Sequence, residues 1–112
     1  MIEILHSKIH QGTITGADLH YEGSISISKE YLELTGIKPY QKVLVADIDN
    51  GQRFETYVIL AEEPNTIVVN GSAARLVHPG DKCIIMAFEY VTEIADNYEP
   101  KVIILDEKNN VI

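Results

Sequence analysis

Four groupings of residues in this 112-residue chain carry side chains that could do chemistry. His6, His10 and His20 could offer imidazoles to a metal, since the first two share a face in either a helix or a strand. Their spacing matches no metal motif, and hydrogen-bonded structural histidines are the plainer reading. Ser24 follows Gly23 in HYEGSISIS and carries a hydroxyl nucleophile. It does not sit in G-x-S-x-G, and nothing local nominates a triad. In NGSAA, Asn70 to Ala74, Gly71 and the small Ser72 and Ala73 would let a ligand approach backbone N–H groups closely. The same stretch could simply start a helix after a strand. In RFETY, a strand would put Arg53, Glu55 and Tyr57 on one face and Phe54, Thr56 and Val58 on the other. An arginine and a tyrosine pointing together could clamp a carboxylate and move a proton. Taken alone, a solvated strand face with a snorkelling Arg53 is the plainer reading.

Nine Lys and Arg against seventeen Asp and Glu leave a formal charge of -8, with no basic cluster. Nucleic acid and anionic membrane surfaces are therefore excluded as expected partners, because both demand a basic face. An anionic small molecule could still bind where a few cations converge, which draws attention to the two arginines, Arg53 and Arg75. The single cysteine, Cys83, rules out an internal disulfide and a multi-thiolate metal site. In KCIIMAF it reads as an ordinary buried strand residue. No apolar signal core and no run of transmembrane length is present, so the expected location is the cytoplasm. There is no repeat or linker, and a single domain over 1–112 is expected.

Short runs rich in Ile, Val, Tyr and Thr, divided by turn residues, must position these groups. Strands are predicted over Ile2–His10, with a break at Gly12, and over Ser24–Ser28, Lys42–Ile48, Gln52–Glu62, Thr66–Asn70, Lys82–Thr92 and Lys101–Glu107; a further short strand is expected just after Gly12. SISIS alternates, so its serines and isoleucines should face opposite sides. SKEYLELTG reads as a helix capped by Ser28 and stopped by Gly36, with Tyr31, Leu32 and Leu34 as its apolar side. Asn50-Gly51 is the strongest short hairpin signal, because both residues tolerate positive φ. SAARLV could form one or two helical turns, and EIADNYEP one. Six or seven short strands with little helix argue for a small closed barrel or sandwich.

Several of these pieces occur together and in order: SKIH near the N-terminus, ADLHYEGS, NGQRFETY, NGSAARLVHPGDK and a closing EPKVIILD. From Ser7 to about Asp106 the chain resembles the pyruvoyl-dependent aspartate 1-decarboxylases. The resemblance implies a double-psi β-barrel with one or two short helices, assembled as a homotetramer with sites between subunits. It implies self-cleavage between Gly23 and Ser24, giving a β chain of 1–23 and an α chain of 24–112. Ser24 would become a covalent pyruvoyl group, the only cofactor, and form a Schiff base with L-aspartate. Tyr57 would be the proton donor. Lys8, Arg53, Thr56, Asn70, Gly71, Ser72 and Ala73 would bind substrate, with Thr56 also near the scissile carbonyl. The product would be β-alanine, for pantothenate and hence coenzyme A. A maturation factor is a further partner that the resemblance allows.

Two positions depart from the family pattern: Gln11 stands where many relatives carry Arg, and Ser72 where alanine is frequent. Neither removes a proposed catalytic group. Tyr21 and Glu22 flank the scissile bond without an assigned role. Two other readings compete: a non-catalytic β-barrel binding or assembly module that retains the framework, and a serine hydrolase built on Ser24.

Overall fold

The computed structural model describes residues 1–112. Its elements in chain order are β1 (Ile2–Thr13), β2 (Gly16–Asp18), β3 (Ser24–Ser28), α1 (Lys29–Thr35), β4 (Lys42–Asp47) and β5 (Arg53–Ala61). There follow β6 (Ile67–Asn70), a 3-10 helix (Gly71–Leu76), β7 (Lys82–Val91) and β8 (Lys101–Ile104). The strands lie in the order β2-β6-β3-β5-β4-β7-β1-β8. β1 and β2 are almost continuous in the chain, and this closes the sheet. β1 pairs with β7 as far as Thr13, Ile14 exchanges backbone hydrogen bonds with the turn before β7, and β2 pairs with β6 from Gly16. Thr15 covers the gap: its N–H and its hydroxyl both donate to Ile67 O, and its Oγ1 accepts from Ile67 N. With β1 and β2 counted as one edge, six strands form the ring, and β8 lies outside it, parallel to β1. This is the small closed barrel expected from the strand count, and its mixed pairing agrees with the double-psi β-barrel that the resemblance implied. Closure removes the free edges that would otherwise invite aggregation.

The core is made of inward-facing strand residues, among them Ile9, Ile25, Ile27, Val45, Val58, Ile67 and Ile85, all fully buried. Cys83 belongs to this core, as expected. Burial, with Asp47 and Asp81 nearby, pushes its thiol up to about 12, which makes it a poor nucleophile. No helix is long and apolar enough to cross a membrane.

Several details differ from expectation for identifiable reasons. β1 does not break at Gly12 but bulges between Ile9 and Gly12 and runs on to Thr13. A side chain at Gly12 would meet Ile67 Cδ1 at 2.6 Å, so the glycine makes room for the core. Ser28 starts α1 without capping it: its Oγ donates to Glu63 O (2.7 Å) and accepts from Thr66 N (2.7 Å), tying β3 to the loop before β6. Leu34 is exposed, because the buried face of this short helix is Tyr31, Leu32 and Thr35. Gly36 does end the helix, in the left-handed conformation at φ 80°. The Asn50-Gly51 hairpin exists, but only Gly51 has positive φ and the loop runs from Ile48 to Gly51. EIADNYEP forms a turn closed by Tyr98 N–H on Ala95 O, not a helix.

Asp47 organises that hairpin. Its Oδ1 accepts from Asp49 N (2.9 Å) and Asn50 N (3.2 Å). Its Oδ2 lies among Asp49 and Asp81 with no donor. Asp49 in turn accepts from Lys82 N (2.7 Å), which ties the hairpin to the start of β7. Burial and the adjoining Asp81 carboxyl push Asp47 from 3.8 up to about 6, so Asp47 holds a proton at mildly acidic pH. The folded state keeps this proton while the unfolded chain releases it. The stability contributed by this group is therefore fully present below about pH 4, is lost as pH rises through about 6, and is level beyond. Asp47→Asn, which cannot ionise, should be more favourable to stability at pH 7.5 than at pH 4, because only the native carboxyl loses its proton between them. Thermal unfolding at the two pH values measures this; an equal effect at both would mean Asp47 holds no such proton.

Candidate active site

β3 begins at Ser24 and is held from both sides. It is antiparallel to β6, with Ser24 opposite Asn70, and parallel to β5, with Ile25 beside Val58. The Ile face packs into the core, but the serine face is not solvated: Ser24 is 1% exposed and Ser28 2%. Each buried hydroxyl therefore needs partners. Ser24 Oγ donates to Glu22 O at 3.0 Å and accepts from Asn70 Nδ2 at 3.0 Å. The same Asn70 nitrogen reaches Ser26 Oγ at 3.0 Å, so one buried amide spans alternate residues of β3. The proton on Ser24 is thereby directed back along the chain, and its lone pairs are steered by Asn70.

Gly71 explains why the next loop is built of small residues. It sits at φ 77°, and a Cβ there would lie 2.6 Å from Gly23 Cα and 2.8 Å from Gly23 N. Only glycine lets the start of the 3-10 helix press against the backbone at Gly23. Gly23 itself has open space where a Cβ would stand.

A cleft of about 400 Å³ opens beside this point, with Tyr21, Glu22, Ser24, Tyr40, Tyr57 and Leu60 in its wall. Extending the β3–β5 register back from Ile25–Val58 runs Tyr57 towards Ser24 and Thr56 towards Gly23. Tyr57 is 36% exposed and stacks on Tyr40, with ring centroids 6.4 Å apart and planes inclined by 27°. Thr56 is half-buried and its hydroxyl makes no hydrogen bond within the chain. The predicted alternation of RFETY holds, with Arg53, Glu55 and Tyr57 on the more exposed face. Glu55 pairs with Lys42 at 3.3 Å, whereas Arg53 is exposed and has no carboxylate partner.

The chain thus gathers Gly23, Ser24, Tyr57, Asn70 and Gly71. Ser72 is exposed and Ala73 half-buried along the 3-10 helix that starts at Gly71. Lys8 and Arg53 are not in the wall of the cleft: Lys8 lies on β1 between β7 and β8, and Arg53 at the far end of β5. The three histidines do not converge. His6 faces Ser7 and Glu89, His10 keeps a buried Nδ1 without a partner, and His20 lies in the turn after β2. Sequence reasoning missed Tyr40, Ile59 and Leu60 as cleft residues and Ser26 as the second partner of Asn70. Period-two alternation could have paired Ser24 with Ser26, but nothing local pointed to Tyr40.

A model of the family described as aspartate decarboxylase matches residues 1–112. Among similar proteins, the aspartate 1-decarboxylase of Thermosipho africanus is 51% identical over 111 residues, covering 97% of this chain and 91% of the relative. That of Clostridium botulinum (strain Loch Maree / Type A3) is 48% identical over 112 residues, covering 98% and 88%. That of Leptospira biflexa (strain Patoc 1 / Ames) is 44% identical, covering 97% and 95%. Two rationally designed proteins are structurally similar. mkDPBB_sym_86 has a TM-score of 0.49 at 15% identity, covering 70% of this chain and 91% of its own. mkDPBB_sym1 has 0.48 at 14%, covering 75% and 96%. Scores of this size leave the fold to be argued from the strand pairing of the chain itself.

The contact between Gly71 and Gly23 predicts that Gly71→Ala is destabilising by about 2 kcal/mol or more, since it adds both a left-handed alanine and a backbone clash. Thermal unfolding of the variant tests this, and a wild-type melting temperature would show that the two backbones do not meet as described.

Proposed function

The chain belongs to the aspartate decarboxylase family, and from that premise we propose that it decarboxylates L-aspartate to β-alanine and CO2 with a pyruvoyl group made from its own Ser24. The observation that carries this reading is the buried Ser24 hydroxyl, held by Asn70 beside a glycine whose neighbour, Gly71, also had to be glycine. A pyruvoyl group fits there: it is smaller than most side chains, it only accepts hydrogen bonds, and Asn70 Nδ2 is a donor already aimed at residue 24.

This geometry supports processing at Gly23–Ser24. Ser24 Oγ attacks the Gly23 carbonyl carbon, the Gly23–Ser24 C–N bond breaks, and the hydroxyl proton ends on the freed Ser24 nitrogen, leaving an ester. Loss of the Ser24 α-proton and cleavage of its Cβ–O bond then release Gly23 as a carboxylate and leave dehydroalanine. Water replaces ammonia to give the pyruvoyl. Before attack, Asn70 fixes the direction of Oγ, and the carbonyl of Glu22 holds its proton. Thr56, placed by register towards Gly23, would steady the scissile carbonyl.

When formed, the pyruvoyl supplies an electrophilic carbonyl for the substrate amine and a sink for the electrons left by CO2. The chain's residues do the rest. Tyr57 delivers a proton to the carbon that has lost its carboxylate. The N–H groups of the loop at Gly71, Ser72 and Ala73, with Asn70, bind substrate polar atoms. Arg53 grips a carboxylate through its planar fork, and Lys8 adds a second positive charge. Because neither lines the cleft of its own chain, a neighbouring copy in a homotetramer would supply them, placing the sites between subunits. A role in pantothenate synthesis, a cytoplasmic location and the involvement of any maturation factor belong to the same proposal.

Intact-mass spectrometry of the purified protein should show two chains, 1–23 and 24–112, the larger beginning with a pyruvoyl and resistant to Edman degradation. Ser24→Ala should stay whole and inactive. A wild-type chain that stays whole after long incubation and forms no β-alanine would favour a non-catalytic barrel. Tyr57→Phe should still cleave but turn over about a hundredfold more slowly or worse, the usual scale for losing a general acid; unchanged turnover would assign the proton to another group.

A further inference from the structure

We propose that Tyr40 is a positioning residue for Tyr57, its ring acting as the platform that fixes the proton donor over the reacting centre. This rests on the role given to Tyr57 above. The first observation is a backbone that asks for an explanation. Lys38 to Gln41 form a turn closed by Gln41 N–H on Lys38 O at 3.1 Å, with Pro39 second and Tyr40 third. Tyr40 has φ 71°, the left-handed region that a turn of this kind reserves for glycine or asparagine at its third position. A bulky side chain there is strained.

Burial within the chain does not account for the choice, because Tyr40 is 78% exposed there. Nor does its hydroxyl, which has no hydrogen-bond partner in the chain. What the residue does gain is a fixed place against β5. Its N–H donates to Val58 O at 2.6 Å, and Val58 N–H donates to Gln41 O at 3.0 Å, so the turn is fastened to the strand next to Tyr57. From there its ring reaches Tyr57 at 6.4 Å in an offset stack. Both rings stand in the wall of the same cleft as Ser24.

The consequence is mechanical. Tyr57 is a partly exposed strand residue, and such a side chain moves among rotamers when nothing packs on it. A stacked neighbour held by a rigid turn removes that freedom. Proton transfer to carbon needs the donor within hydrogen-bond reach of one point, and loss of that placement lowers turnover more than binding.

Glycine at residue 40 keeps the turn, relieves the strain and removes only the ring, so Tyr40→Gly separates function from stability. Expected for Tyr40→Gly are complete cleavage at Gly23–Ser24, a melting temperature at or above wild type, an unchanged oligomeric mass and a KM for aspartate within about twofold. Its kcat should fall about three- to tenfold, the rate equivalent of one lost aromatic stack. Tyr40→Phe should restore wild-type kcat. In a Tyr57→Phe background, Tyr40→Gly should cost nothing further. The proposal is overturned by a normal kcat in Tyr40→Gly, by failure of Tyr40→Phe to rescue, by a full additional loss in the double variant, or by a change in oligomeric mass. Wild-type protein that neither cleaves nor forms β-alanine would instead overturn the parent reading and this proposal with it.

Discussion

The close approach of Gly71 to Gly23 is the constraint on which the rest of the site depends. Two backbones meet where no Cβ can stand, and one must adopt a left-handed φ to do it. That contact can be sustained only if β3 and β6 are locked in register, which their antiparallel ladder from Ser24–Asn70 to Ile27–Ile67 achieves. It also decides where Asn70 falls. As the last residue of β6 it is opposite Ser24, buried, and unable to reach water, so its amide must spend its hydrogens on Ser24 and Ser26. Positioning the Ser24 hydroxyl is thus the solution to a burial problem.

The barrel contributes by holding β5 on the other side. β5 carries Arg53, Thr56 and Tyr57, and its first half is paired with β4 while its second half is paired with β3. A strand shared in this way cannot slip by one residue without turning Val58 out of the core and Tyr57 into it. The hairpin that introduces β5 is fixed in turn by Asp47, whose carboxyl takes two backbone N–H groups while Asp49 takes one from β7. Residues far from the cleft therefore set the height at which Tyr57 enters it.

The sequence made legible what depends on period and on local chemistry. Alternation in SISIS and RFETY gave the correct faces, and the glycine after α1 gave its end. It misjudged features whose cause lies elsewhere in the chain. Ser28 looks like a helix cap locally, yet its hydroxyl is drawn off by the loop at Glu63 and Thr66. Gly12 looks like a break, yet it is a bulge that makes way for Ile67. At the site, the residues came from resemblance and only their grouping from the fold. Gly23 and Ser24 reveal nothing alone; opposite Asn70 and against Gly71 they become a bond under guidance. Tyr40 stayed invisible because its meaning is relational: a proline-tyrosine turn is ordinary until β5 sets Tyr57 beneath it.

Charge makes the same point on the scale of the whole molecule. A protein of net charge -8 repels an anion at long range, so capture of an acidic amino acid must be local. The cleft beside Ser24 contains Glu22 and no cation in its wall, which would make an isolated chain a poor receptor for aspartate. Arg53 and Lys8 stand on other parts of the barrel surface, free of carboxylate partners. Assembly would resolve this opposition. If the cations of one copy complete the cleft of another, they face an acidic substrate only where two copies meet. On the proposed reading, association would be a condition of substrate recognition, and the acidic surface elsewhere would disfavour binding away from the completed cleft.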